Sequence, residues 1–363
     1  MDFESHSKEL SAENTKTFKY LDDLIHSGVK EIVLDSDIVL DDDEESDYED
    51  GIKLDVPDLI IDGNGHTIDA NGKARIFYCT RYITIKNITL KNGYSKDHGG
   101  TIYNNTWGEL TIVESIIKEN TANYGGAISN YGKLTITESI IKENTANYGG
   151  AISNHDGQAM TKKSKLTITE STLFKNTAKV GGAIYNDCDL AIIESTLNDN
   201  RVTGSGGAIN NMSRLTIIKS TLNGNVVEYD ESALLRGAHR GGAICNFLGG
   251  ELTIFKSTLN DNTAYVGGAI LNECELIIVE STLNDNRVGG GGAAIYNFEE
   301  LTIIESAFND NIGEVIYIRE RGECTISNST FNGKTVQKHK QFKDGRIVTN
   351  DDIGNISIIR TCY

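Results

Sequence analysis

Apolar residues along this chain come in short alternating bursts, such as Leu134-Thr135-Ile136, Leu166-Thr167-Ile168 and Leu215-Thr216-Ile217. An alternation of two is the period of a β-strand, not the 3.6 of a helix. The bursts return about every 25 residues, together with a second signal, the tetrad Gly-Gly-Ala-Ile, at 125–128, 149–152, 181–184, 206–209, 241–244 and 267–270. Gly99-Gly100-Thr101-Ile102 and Gly292-Ala293-Ala294-Ile295 are variants of it. A unit of this length holds two or three short strands and predicts a stack of equivalent coils rather than one globular core.

Aligned, the copies form columns. Asn104, Asn130, Asn154, Asn186, Asn211, Asn246, Asn272 and Asn297 make one, and Asn120, Asn144, Asn176, Asn200, Asn225, Asn262, Asn286 and Asn311 a second. A Leu column runs from Leu110 to Leu301, with Cys324 in register, and a Ser column from Ser115 to Ser329. If each strand pairs with its equivalent in the next coil, ~4.8 Å away, the chain closes into an all-β, parallel β-helix of about twelve coils, a rod of ~55–60 Å. Asn suits corners that need left-handed backbone, and stacked amides hydrogen-bond to those above and below. The paired glycines suit a tight bend or close backbone packing.

The ends depart from the repeat. Residues 1–28 read as an N-terminal segment with a capping helix from Thr17 to His26, its apolar face made by Phe18, Leu21, Leu24 and Ile25. Asp41 to Asp50 reads as a solvated acidic loop. Residues 29–334 form the β-helix, its first coils degenerate (Leu59-Ile60-Ile61, Ile83-Thr84-Ile85), and 335–363 a C-terminal capping segment. Two copies carry insertions, His155–Lys165 and Val226–Arg240.

Composition narrows the function. With 34 basic against 52 acidic residues the net charge is −18, which argues against nucleic-acid backbones. No apolar stretch is long enough for a membrane helix. The first residues, MDFESHSKELSAENTK, lack the basic and apolar regions of a secretory signal as written. The six cysteines contain no Cys-x-x-Cys; Cys188 and Cys274 share a column three coils apart, ~14 Å, too far for a disulfide. They read as small buried hydrophobes.

Known chemistries find little purchase. A glycosidase needs two carboxylates facing one sugar, and a lyase needs a base, usually with calcium. The pectin-hydrolase motifs are missing; Gly65-His66-Thr67 is the nearest approach and reads as a turn. The seven histidines show no ligand spacing. Glu114, Glu138, Glu170 and Glu194 stack in one column, and Asp199, Asp261, Asp285 and Asp310 in another; such ladders offer at most weak calcium sites, and no cofactor is expected. A regular Thr-x-Thr array, as an ice-binding face needs, occurs only at Thr135/Thr137 and Thr167/Thr169.

The more informative feature is apolar. If Leu and Ile of each Leu-Thr-Ile burst point inward, the next residue points out, and over five coils that residue is Ile193, Ile218, Phe255, Val279 and Ile304. Such a stripe marks a contact surface for a partner or a second copy.

The tetrads Gly-Gly-Ala-Ile and Phe308-Asn309-Asp310-Asn311 resemble the repeats of polymorphic outer membrane proteins, and Asp62-Gly63-Asn64-Gly65-His66-Thr67-Ile68 is similar to adhesin-like β-helix proteins of methanogenic archaea. The resemblance covers roughly residues 58–334. It implies a right-handed parallel β-helix and adhesion at a cell surface or after secretion. Most of the second tetrads here carry Leu or Ile in place of Phe. The expectation is therefore a non-enzymatic, adhesin-like scaffold that binds a partner protein or surface glycan along a flat face. The alternative is a carbohydrate-active lyase or hydrolase with an unrecognised site.

Overall fold

A computed structural model describes residues 15–157, 164–228, 240–319, 322–336 and 340–343. Within them the chain winds as a parallel β-helix with three strands per coil. The first face carries the five-residue Leu-Thr-Ile strands and has thirteen strands; the last, Lys340–Lys343, runs antiparallel, so twelve parallel strands count twelve coils. The second face carries short strands such as Ile116–Lys118, is held by single bridges from Thr221 to Ala307, and pairs as strands again at Ala307–Phe308. The third carries the Ile-x-Asn strands, eleven in all, from Ile52–Leu54 to Ile316–Ile318. A small five-stranded sheet, beginning at Thr177–Val180, fills the corner between the second and third faces.

Register follows the columns residue for residue: Leu110 sits over Leu134, Leu134 over Leu166, and Asn104 over Asn130. Each first-face strand alternates between inside and outside, with Leu134 and Ile136 buried and Thr135 and Thr137 partly exposed. Ile128 and Ile141 complete the same layer of core. Each such side chain contributes roughly 1.5–3 kcal/mol by leaving water. Because every coil repeats this set, the core is a continuous column rather than one cluster under a dome.

The corners differ from the expectation based on Asn. Neither Asn column adopts left-handed backbone. That conformation falls in the regular coils on charged residues, at Glu114 (φ 47°), Glu138, Glu170, Glu194, Lys219, Lys256, Glu280 and Glu305 after the first face, with Asn87 and Asn328 at the same corner in the flanking coils. After the second face it falls on Glu119, Glu143, Lys175, Asp199, Asp261, Asp285 and Asp310. The second Asn column directly follows the bends after the second face, and the first column ends the third-face strands; both keep their amides inside. Asn104, Asn130 and Asn154 are fully buried, and each donates from Nδ2 to Oδ1 of the Asn in the following coil, at 2.6, 2.8 and 2.7 Å. The same bond runs on through Asn186, Asn211, Asn246 and Asn272 to Asn297. An interior amide satisfies groups a left-handed corner leaves behind; an exposed bend tolerates any flexible polar side chain.

The glycine pairs have separate duties. Gly125 has φ +64°, and a methyl group there would run into the carbonyl oxygen of Ile128. A methyl on Gly126 would strike the carbonyl oxygen of Gly150 in the next coil. One glycine turns the chain, and the other lets neighbouring coils approach.

The helix spans Phe18–Ile25, capped by Thr17, whose hydroxyl accepts from the Tyr20 N–H. Phe18, Leu21 and Ile25 join the core against the first coil. The acidic loop is not only solvated. Its Glu44 carboxylate accepts from the Phe18 and Lys19 N–H groups, and Tyr48 packs edge-on against Phe18 with its hydroxyl on Asp22. At the other end Lys334–Val336 pairs antiparallel with Ser329–Phe331, and Lys340–Lys343 with Glu323–Ser327. Most of 335–363, including Cys362, and the centres of both insertions lie outside the described residues.

Candidate functional site

The stripe runs along the first face. Ile193, Ile218, Phe255, Val279 and Ile304 each end a five-residue strand, point outward, and pair in register with the next. All five are partly exposed, each shielding its neighbours in the column. The described anchors of the second insertion, Val226–Val227 and Arg240, pair at the corner between the second and third faces, opposite this one. The left-handed column beside the stripe is largely exposed. There Lys219 pairs with Glu194 at 2.8 Å and Lys256 with Glu280 at 3.3 Å, so the two lysines relieve the stacked carboxylates. Among the described residues no three His, Cys, Asp or Glu side chains gather as a metal site would require. His66 sits in a turn with Nδ1 3.2 Å from Asp37.

A second assembly, on the third face, was not anticipated from the sequence. The central residue of each Ile-x-Asn strand points outward. Tyr78 and Tyr103 occupy that column in successive coils and stack at 5.3 Å. In the next two coils the position is Ser129 and Ser153, and the space is filled from the side: Tyr131 and His155 stack at 4.8 Å, and His98, Tyr124 and Tyr148 stack along the column before the glycine pairs. Ser153 Oγ lies 2.7 Å from His155 Nε2, and Ser129 Oγ 3.3 Å from His98 Nδ1. Both serines are fully buried, so these pairs tie the aromatic cover to the sheet and present no nucleophile. Burial pushes His155 down to about 4 and holds His98 below the ordinary histidine range, where Arg75 acts in the same direction and Asp97 against it.

At the N-terminal end of this cover lies a cavity of about 850 Å³. Its floor is Tyr78 and Tyr103, with Tyr94 and His98 beside them. The acidic loop supplies Asp42, Glu45, Ser46, Glu49 and Asp50 as one wall; Lys73, Arg75, Ser95, Lys96 and Asp97 complete the lining. Arg75 is buried and staples the walls together. It donates to the Asp50 carbonyl on one side, and to the His98 and Gly99 carbonyls and Ser95 Oγ on the other. Its guanidinium lies 5.5 Å from the centre of the Tyr103 ring. The tyrosines at 78, 103 and 185 stand in one column, which was the available signal; the approach of His98, Tyr131 and His155 depends on how the connecting segments fold back.

The cysteines within the described residues are all free thiols. Cys79, Cys188, Cys245 and Cys324 are buried; burial raises each thiol, the first three to about 12. Cys274 is partly exposed.

Residues 160–331 match the family model described as a right-handed β-helix region. No curated protein and no solved structure matches the chain. That match and the coil geometry together make this fold a right-handed parallel β-helix of about twelve coils, an architecture that supports a scaffold or binding role.

Proposed function

We propose that the protein is a non-enzymatic, adhesin-like scaffold that holds a partner protein against its first face. The observation that carries this reading is the stripe of Ile193, Ile218, Phe255, Val279 and Ile304, five outward apolar side chains on consecutive rungs. A stripe that is aliphatic except for Phe255 suits a protein surface better than a glycan, whose hydroxyls would find no partners there. Five rungs of five-residue strands cover roughly 20 by 17 Å, or ~340 Å². That is less than half the ~800 Å² per partner of a standard stable interface. The contact is therefore weak per molecule and gains strength by display in many copies.

The test is the triple substitution Ile218→Ser, Phe255→Ser and Ile304→Ser in the full chain. Retention on protein-coated surfaces and self-association by sedimentation should both fall to background while the thermal midpoint stays close to that of the parent. Undiminished retention would end the proposal. Release of products from a panel of polysaccharides would replace it with the carbohydrate-active alternative.

A further inference from the structure

The cavity on the third face is separate from the stripe, and its chemistry restricts what it holds. Every lining side chain either hydrogen-bonds or offers an aromatic surface; none is aliphatic. A ligand there carries polar groups around its edge and meets the rings with its faces. The lining carries five carboxylates and three cations, interleaved. Lys73 contacts Asp42 and lies 3.8 Å from Glu45; Lys96 is 3.7 Å from Glu49, and Arg75 3.8 Å from Asp50. An anionic ligand would have to displace the carboxylates from these cations, and a cationic one would have to displace the resident cations from the carboxylates they already hold. A neutral polyol meets neither obstacle. It donates hydroxyls to the carboxylates and accepts from the cations, entering where the pairs to Glu45, Glu49 and Asp50 stand at 3.7–3.8 Å, beyond hydrogen-bond distance.

The rings add a platform. Tyr103 is covered on its faces by Tyr78 and Arg75, whereas Tyr94 is 38 % exposed and makes no recorded ring contact among the described residues. An exposed tyrosine beside alternating donors and acceptors suits the apolar face of a pyranose ring. The volume of about 850 Å³ lies in the range of small-molecule sites and exceeds one sugar. Arg75 fixes both walls in advance, so little ordering is needed on binding.

We infer that this cavity binds a neutral oligosaccharide, with Tyr94 as stacking platform, Asp97 and Asp50 as hydroxyl acceptors and Lys96 as a donor. The site does not depend on the first-face reading, and the two fail separately.

The experiment is titration calorimetry of the full chain with neutral gluco-, manno-, galacto- and xylo-oligosaccharides, alongside oligogalacturonate and spermine. At least one neutral series should bind. Tyr94→Ala and Asp97→Asn should each weaken it about tenfold, and the triple serine substitution on the first face should leave it unchanged. Hydrogen exchange of the unsubstituted protein gives a second readout: the neutral ligand should slow exchange at residues 94–98. Binding of oligogalacturonate or spermine alone, no binding of any neutral series, or neutral binding untouched by both substitutions and without that footprint would each overturn the assignment.

Discussion

Asn200→Leu isolates what the second Asn column contributes. The Asn200 Oδ1 atom accepts from the backbone N–H of Asn176 at 3.0 Å and from its Nδ2 at 3.1 Å. The Asn200 Nδ2 group donates to the Leu173 carbonyl at 3.1 Å and to Asn225 Oδ1 at 3.0 Å. Leucine has the same branched arrangement of side-chain heavy atoms, is bulkier, and has none of these polar atoms. Asn176 keeps a partner for its side chain, the Ile141 carbonyl, and Asn225 Oδ1 keeps the Asn200 N–H. The Asn176 backbone N–H keeps nothing, in a fully buried position. One orphaned buried donor costs about 1–3 kcal/mol and each of the three further lost bonds about 0.5–1.5, giving roughly 2.5–7.5 kcal/mol. In a solenoid the loss stays close to the damaged rung. Native-state hydrogen exchange is therefore the assay. The Asn176 amide should exchange at least about 60-fold faster, the equivalent of the lower bound, while amides of Leu59–Asp62 remain unaffected. Unchanged protection at Asn176, or a uniform loss across all coils, would refute the reasoning.

Two further outcomes follow from the same geometry. Gly126→Ala places a methyl group against the Gly150 carbonyl and 2.6 Å from that of Thr145, and should lower stability by about 1–3 kcal/mol or more in a urea titration. Gly65→Ala, with open space around it and φ +83°, should cost only the left-handed penalty of about 1–2 kcal/mol. For His155, burial lowers the pKa to about 4 from the ordinary 6.5. Between those values the unfolded chain takes up a proton that the folded chain refuses, so stability falls as pH drops through that window, by up to roughly 3 kcal/mol for this group. His155→Phe keeps a ring on Tyr131 and should flatten the dependence of the urea midpoint between about pH 7 and about pH 4.5; parallel slopes for the two proteins would count against the burial argument.

The architecture was readable because its determinants are local and repeated. Leu134-Thr135-Ile136 declares a strand by itself, and its return in each unit declares the stacking. The helix over Phe18–Ile25 was readable from the spacing of Phe18, Leu21 and Ile25. The left-handed bends were misassigned to Asn because propensity ranks Asn above Glu for that backbone. The ranking ignores that an amide is needed inside, where a carboxylate would be desolvated, so Glu114 and Asp199 take the strained but solvated place. The acidic loop looked like surface because nothing in its composition announces that Glu44 caps a helix two strands away. The third-face cavity was invisible for a related reason. Asp50, Arg75, Tyr94 and Asp97 meet only through the folding back of three connecting segments, and no column contains them all.

Residues 110–130 and 134–154 differ at a single position, Val113 against Thr137. Two neighbouring rungs are thus almost interchangeable, and every contact one makes with its neighbours is available to the other. During folding, a segment could zip onto the wrong twin and gain nearly the native energy, leaving a loop of 24 residues extruded. What penalises that error is not the repeat but the singular pieces: the helix that fits only the first coil, and the aromatic cover that needs His98, Tyr131 and His155 on three particular rungs. The same near-identity makes this part of the rod the place where inheritance can lengthen or shorten the molecule by one whole step, without re-tuning anything on either side.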